Sequence, residues 1–452
     1  MFNKVLVANR GAVAARVLRA LNEMGIQSVA VYSEADAGAP YLAMASETYA
    51  IGPAPARESY LNQDTLAEVA RRSHADALHP GYGFLAENAG FAEKIAQAGV
   101  RFIGPSAKWI DAMGHKTKAR ALAAQYGMPM SRGSAVLPMD DDAIIAAARD
   151  IGFPVLVKPA GGGGGIGMLP AKDETQLLRA VERSRSMATR GFGNAEVYLE
   201  RLFERPRHVE FQVLGDGHGR VAHLFERDCS VQRRNQKVIE EAPAPGIERA
   251  SAQALGDQIA GILQKMGYDN IGTVEMLMGA DGSFNFLEMN TRLQVEHGVT
   301  EEVTGVDLVK AQIRSAAGEP LAAILPEDLK VHGHAIEARV YAEDPKNFFP
   351  SPGKLTVFRP PQDAAVRVET GFAEGRDVTP HYDPMIAKVI VRGATRAQAI
   401  DHLADALEAF EIEGVKNNIP AVLAILRSEP FRTGQVHTGL IPEVLGRNKA
   451  RA

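Results

Sequence analysis

The sequence carries one cysteine, Cys229, in 452 residues, so no internal disulfide can form and nothing asks for an oxidising compartment. It lacks any stretch of about eighteen uncharged apolar residues, which removes the pattern of a membrane-spanning helix. The opening MFNKVLVANRG places Lys4 and Arg10 where a signal peptide needs its apolar core, and a cytoplasmic location is expected. There is no low-complexity tract and no internal repeat. Charge of neither sign dominates: 50 Lys+Arg stand against 55 Asp+Glu, net −5, which gives no general attraction to nucleic acid or a membrane surface. Partners must therefore be read from local sites. The length predicts two or three domains with substantial apolar cores.

What is present is an ordered alternation of patterns. KVLVANRG, AVAARVLRALNEMG and IQSVAVYSEAD read as buried strand, amphipathic helix and strand, the unit of a parallel sheet. TLAEVARRSHADALHPGYG and AEKIAQAGVRFIGP continue it. Residues 1–113 are predicted as a doubly wound α/β domain, with Asn9, Arg10, Gly11 and His79 to Gly83 at the carboxyl ends of strands, where such sheets bind ligands. From Gly114 an Ala- and Lys-rich helix leads to FPVLVKPAGGGGG, then to AEVYLERLF, RHVEFQVLGD and GRVAHLFERDCS in antiparallel rhythm, predicting a central α+β domain over 114–331. HAIEARVYAED, GKLTVFRPP, MIAKVIVRG and the helix RAQAIDHLADALEAFEI predict a mixed C-terminal domain over 332–447.

The run VKPAGGGGGIGM offers bare backbone N–H groups to an anion, with Lys158 at the end of the preceding strand as a fixed cation. Its spacing is neither G-x-x-x-x-G-K-[ST] nor G-x-G-x-x-G, and a flexible linker would share its composition. Downstream, GTVEMLM and FNFLEMNTRLQVEHGVT place Glu275, Glu288 and Asn290 as hard-oxygen donors of the kind that hold Mg²⁺ against nucleotide phosphates. Glu288, Asn290, Arg292, Gln294 and Glu296 recur at period two, predicting five polar side chains on one face of an extended strand; an edge strand facing water would look similar. ERDCSVQRRNQKVIEEAPAP alternates charge, which alone reads as a solvated face and beside a metal-type site becomes a candidate for stabilising a transferring phosphoryl group. Cys229 reads as a packed small residue, because none of this chemistry needs a thiol.

Together with ANRGAVAARV, HPGYGFLAEN, FIGPS, MGHK, PRHVEFQVLGDG, AEDP, PSPGK and YDPMIAKV, these motifs resemble the ATP-grasp biotin carboxylases over nearly the whole chain. The resemblance implies a central ATP-grasp domain with a glycine-rich lid over about 131–203. It implies ATP, Mg²⁺ or Mn²⁺, bicarbonate and carrier-bound biotin as cofactors and substrates. By the same carry-over, Lys116, Lys158 and His208 contact phosphates, Gly163, Gly164 and Gly165 close over them, and Glu200 and Phe203 line the adenine side. Gln232 and Asn235 join the nucleotide site, and Glu275, Glu288 and Asn290 hold the metal. Arg292, Gln294 and Val295 bind bicarbonate, Glu296 is its general base, Lys237 stabilises carboxyphosphate and Arg339 the enolate-like biotin. With no Met-Lys-Met, the biotin carboxyl carrier protein and the carboxyltransferase are expected as separate chains, and a homodimer is expected. Acetyl-CoA carboxylase, serving fatty acid biosynthesis, is one such assembly.

The chain departs from the family pattern at four places. Ile166 stands where Lys or Arg is usual, Asn235 where His is, Ala12 where Glu is, and Gly298 where Pro is. A weaker lid closure is expected from the first, and a freer backbone beside Glu296 from the last. An ATP-grasp ligase with another acceptor and a non-catalytic nucleotide-binding protein remain the alternatives.

Overall fold

The computed structural model describes residues 1–161 and 166–446, so Gly163, Gly164 and Gly165 lie outside the described residues. The chain opens with β1 (Lys4–Val7), α1 (Gly11–Glu23), β2 (Gln27–Tyr32), β3 (Glu47–Ala50), α2 (Gln63–Arg72), β4 (Ala77–His79), α3 (Ala89–Gln97) and β5 (Arg101–Phe102). All five strands pair in parallel, in the order β3-β2-β1-β4-β5. Burial on both faces explains the unbroken apolar run of β1. Val5 and Val7 join one core with Val13, Val17 and Leu21 of α1, while Leu6 joins another with Leu66, Phe91 and Ile95. The strand order reverses between β1 and β4, so the crevice opens at their carboxyl ends, as the sequence predicts. Asn9 ties the two ends together by donating to the carbonyls of Pro80 (2.7 Å) and Tyr82 (2.8 Å).

Helices α4 (Ala107–Gly114) and α5 (Lys116–Gln125) lead to a small unit of α6 (Asp141–Ile151), β6 (Val155–Pro159), β7 (Leu169–Ala171), α7 (Glu174–Phe192) and β8 (Val197–Arg201). Its antiparallel sheet, β7-β6-β8, packs Val155, Val157 and Leu199 against Ile144, Ile151, Leu177 and Val181.

The rest is organised by one antiparallel eight-stranded sheet, β13-β12-β9-β10-β11-β14-β19-β17. Its members are β9 (Arg207–Gly215), β10 (Val221–Arg233), β11 (Gln236–Ala242), β12 (Ile271–Met278), β13 (Phe284–Asn290), β14 (His334–Tyr341), β17 (Val366–Glu369) and β19 (Met385–Gly393). Two short pairs, β15 (Gly353–Lys354) with β18 (Asp377–Val378) and β16 (Val357–Arg359) with β20 (Glu411–Glu413), flank it. Because β11 pairs with β14, the sheet runs unbroken through residues on both sides of Val331.

The faces of this sheet differ. Val209, Phe211 and Val213 of β9 pack with Ile259 and Leu263 of α8 (Arg249–Met266). Ile336, Ala338, Val389 and Val391 pack with Leu403 of α12 (Arg396–Glu408). The opposite face carries His208, Glu210 and Gln212 at period two, all buried, toward α9 (His297–Thr304), which α10 (Leu308–Ala316) and α11 (Leu321–Ile324) follow. A buried polar face needs mutual pairing of its charges, and that face carries the site.

Candidate active site

A cavity of about 740 Å³ lies between the parallel sheet's carboxyl ends and the polar face of the large sheet. Asn9, Arg10, Gly11, Ala12, Tyr82 and Phe84 line one wall. His208, Asn235, Lys237, Glu275, Glu288, Asn290, Arg292, Gln294, Val295 and Arg339 line the other, so ten of the sequence-derived residues meet there.

Strand register does much of this. Glu275 of β12 pairs with Glu288 of β13 on one side and Glu210 of β9 on the other, so the three carboxylates stand in a row. Lys237 of β11 reaches into that row: its ammonium lies 2.5 Å from Glu210, 2.9 Å from Glu275 and 2.6 Å from Glu296. Burial opposes its charge, but the carboxylates hold its pKa well above the usual lysine range. Glu296, fully buried, also accepts from Arg339 Nη2 at 2.9 Å. Burial pushes its pKa up, Lys237 pulls it down, and the net shift is downward, so it stands as a carboxylate held between two cations. His208 behaves in the opposite sense: burial disfavours the imidazolium, yet Glu275 at 3.2 Å holds the pKa up at about 9. At neutral pH it is a cation facing the cavity. Gln232 lies behind it, its Nε2 3.0 Å from His208 Nδ1.

Lys116, at the start of α5, bridges to Glu288 at 3.0 Å. Lys158 and Glu200 do not line this cavity. They face each other across β6 and β8 at 3.0 Å, with Arg120 3.2 Å from the same carboxylate. Phe203 follows β8 beside Gly279.

The period-two reading of 288–296 fails beyond Asn290, where β13 ends. The chain leaves the sheet because the Thr291 N–H turns to the Glu87 carboxylate (3.0 Å) and residues 294–297 close a turn into α9. The five side chains still converge, by loop geometry: Arg292 donates to Asn290 Oδ1 (2.7 Å), Gln294 Oε1 (2.9 Å) and Glu87 (2.6 Å). The charge-alternating stretch is likewise no solvated face. Glu226, Arg227, Asp228, Glu240 and Glu241 are buried and paired, Arg227 with Glu210 at 2.7 Å. Gly298 gains no freedom either: it is buried in the first turn of α9, where a Cβ would collide with Ile390. Asn235 and Arg234 form the tight turn between β10 and β11 with φ of 64° and 49°, a left-handed conformation that Asn tolerates well. Cys229 is buried, and burial holds its thiol protonated.

Sequence reading missed Glu87, Glu210 and Lys388. Glu210 had a signal in the His208-x-Glu210-x-Gln212 alternation, while Glu87, although it lies in HPGYGFLAEN, meets Arg292 across 205 residues, a pairing its motif does not show.

The donor set fits a divalent cation of the Mg²⁺ class. Glu275 and Glu288 are cross-strand carboxylates at the cavity wall, and the Asn290 amide, which now donates to Glu275 (2.9 Å) and accepts from Arg292 (2.7 Å), would turn its oxygen to the ion. Among the described residues, His208 with Glu210 and Glu275, and Glu210 with Cys229 and Glu296, also come within metal-ligand reach of one another. The Lys237 ammonium already binds Glu210, Glu275 and Glu296, and supplies positive charge to both groups.

Comparison with known proteins gives a consistent result. Residues 1–110 match the family model "Biotin carboxylase, N-terminal domain", 115–324 "Carbamoyl-phosphate synthase L chain, ATP binding domain", and 337–443 "Biotin carboxylase C-terminal domain". Biotin carboxylase 2 of Bacillus subtilis strain 168 is 47% identical over 445 residues, covering 98% of this chain and 100% of its own. A pyruvate carboxylase subunit from Methanothermobacter thermautotrophicus is 48% identical over 445 residues, covering 98% of this chain and 90% of its own. The biotin carboxylase domain dimer of Hydrogenobacter thermophilus 2-oxoglutarate carboxylase, solved with MgADP, ADP and bicarbonate, superposes with a TM-score of 0.94. It is 43% identical, covering 98% of this chain and 99% of that one.

Proposed function

The chain belongs to the biotin carboxylase family, and from that premise we propose how its own residues divide the ATP- and bicarbonate-dependent carboxylation of biotin. The observation that carries the reading is the position of Glu296, a buried carboxylate behind the cavity wall, held between Lys237 (2.6 Å) and Arg339 (2.9 Å), which line that wall together with Arg292, Gln294 and Val295.

Bicarbonate is a weak nucleophile. Arg292, Gln294 and the backbone at Val295 orient it, and Glu296 Oε takes its proton as its oxygen attacks the γ-phosphorus of ATP, whose bond to the bridging oxygen breaks to release ADP. Lys237 neutralises the carboxyphosphate that forms; its C–O bond breaks to give CO2 and phosphate, the phosphate takes the biotin N–H proton, Arg339 faces the biotin oxygen that gains charge, and the nitrogen then bonds to the CO2 carbon. His208, charged at neutral pH, joins Lys116 and Lys158 on the nucleotide phosphates, with Gln232 and Asn235 beside them. Glu200 and Phe203 are assigned to the adenine side. Gly163, Gly164 and Gly165 are assigned to covering the phosphates, because carboxyphosphate is short-lived in water. Glu275, Glu288 and Asn290 would hold Mg²⁺ or Mn²⁺, which supplies positive charge across the transferring phosphates when bound.

To these roles belong domain divisions at about 113 and 331 with a lid over 131–203, a cytoplasmic homodimer, and a biotin carboxyl carrier protein and carboxyltransferase as partners. Dimerisation is supported by the dimer described for the Hydrogenobacter domain. Acetyl-CoA, as in fatty acid biosynthesis, and pyruvate are the acceptor classes that fit such an assembly.

The test of the site is Glu296→Gln. It keeps shape and loses the base, so bicarbonate-dependent phosphate release should fall about 10²- to 10⁴-fold with nucleotide binding retained. Turnover within tenfold of wild type would remove Glu296 from the role of base.

A further inference from the structure

Lys388 stands in the middle of β19, with no exposed surface. It faces Arg339 of β14 on one side and Glu369 of β17 on the other, so the three side chains form one row on the polar face of the sheet. A buried ammonium needs partners for its charge: the Glu369 carboxylate lies 2.8 Å from Lys388 Nζ, and Glu337, at 3.6 Å, is beyond hydrogen-bond distance. Its hydrogen bond goes to a carbonyl. Lys388 Nζ donates to Val295 O at 2.6 Å.

That carbonyl belongs to the peptide that joins Val295 to Glu296. Residues 291–296 have left the sheet, so no ladder fixes their backbone, and side chains must do so. Glu87 takes the Thr291 N–H (3.0 Å), His297 Nδ1 donates to Gln294 O (2.8 Å), and Lys388 donates to Val295 O. On its far side Glu369 is bound by Arg367 and lies 3.5 Å from Arg16, so its charge stays in place opposite Lys388.

We propose that Lys388 is a positioning residue for the bicarbonate step: by holding the Val295 carbonyl it sets the peptide that aims the Glu296 carboxylate and the bicarbonate-facing loop. This rests on the assignment of Arg292, Gln294, Val295 and Glu296 above. Lys388 lies outside the cavity lining and touches no substrate; its influence passes through one backbone hydrogen bond.

The test uses the full chain and phosphate release from MgATP, with bicarbonate and ATP titrated separately. Lys388→Met alone leaves the buried Glu369 carboxylate with one cation fewer, so the deciding variant combines it with Glu369→Gln, which removes one charge of each sign. Misaiming a base costs rate at the step it serves, so kcat/KM for bicarbonate should fall about 10- to 100-fold, while KM for MgATP stays within about twofold and melting stays cooperative. A kcat/KM for bicarbonate within about threefold of wild type would overturn the proposal. So would parallel losses toward both substrates, or a double variant that does not fold, because either assigns Lys388 to general support of the core. Wild type and Glu296→Gln run alongside. Loss of bicarbonate dependence in the first, or its survival in the second, would overturn the site assignment itself and the proposal with it.

Discussion

Ile166 is the residue at which this chain differs most consequentially from the family pattern. It sits half exposed at the edge of the glycine run, close enough to α7 that a side chain at Gly191 would touch it. No charge at this position can reach a phosphate, and a charge-assisted hydrogen bond is worth about 1.5–3 kcal/mol. Ile166→Arg is therefore expected to lower KM for MgATP by about tenfold in steady-state assays, and an unchanged KM and kcat would show that the missing cation is made good elsewhere. Asn235 differs in kind. The sequence shows only the loss of a histidine's charge there, whereas the structure shows a position whose φ of 64° favours Asn. Glu296, Arg292 and Lys237 could be singled out from the sequence because they lie in short motifs, and the structure brings them together. Glu87 could not be, since its role exists only after the fold brings it to Arg292.

Among the elements, β9, β10, β12, β13 and β14 were legible as strands because apolar residues alternate with polar ones, whereas β11 was hidden in the charge-alternating stretch. The alternation misled in two respects. It did not stop where the strand stops, since the polar positions after Asn290 serve a loop held by Glu87 rather than a pleat. It also marked a polar face as if it met water, when α9 covers it and its charges pair. The row on β14 shows what such burial does. Burial, opposed by Lys388, pushes the Glu337 carboxyl from 4.5 up to about 8, and Glu240 opposite it is pushed up to about 7. A native carboxyl with a raised pKa keeps a proton that the unfolded chain has released, so stability falls as pH rises from about 4.5 to 8. Glu337→Gln should flatten that slope: compared by thermal melting, the variant gains on wild type between pH 5 and pH 8. Parallel curves for the two proteins would show that Glu337 ionises normally.

On the scale of the molecule, the site is a seam. The parallel sheet contributes Asn9 to Val13 and Tyr82 to Phe84, the centre of the large sheet contributes the carboxylates and cations, and Pro380 to Met385 close the third side. The strand-helix-strand alternation of the first segment and the antiparallel rhythm of the rest were readable, since each follows from periodicity. That one sheet spans both sides of Val331 was not, because the pairing of β11 with β14 joins strands far apart in sequence. The same long-range closure puts Arg339 beside Glu296, and so the residue proposed for biotin beside the one proposed as base. With these assignments, the transferring phosphate, bicarbonate and biotin share one cavity, and the nucleotide extends beyond it toward Lys158 and Glu200. The most direct measurement is phosphate release from MgATP by the purified chain, with and without bicarbonate and with and without biotin. Release that requires bicarbonate and rises with biotin is the expected result; release indifferent to bicarbonate, or ATP bound with no release, would contradict the shared cavity and its order of steps.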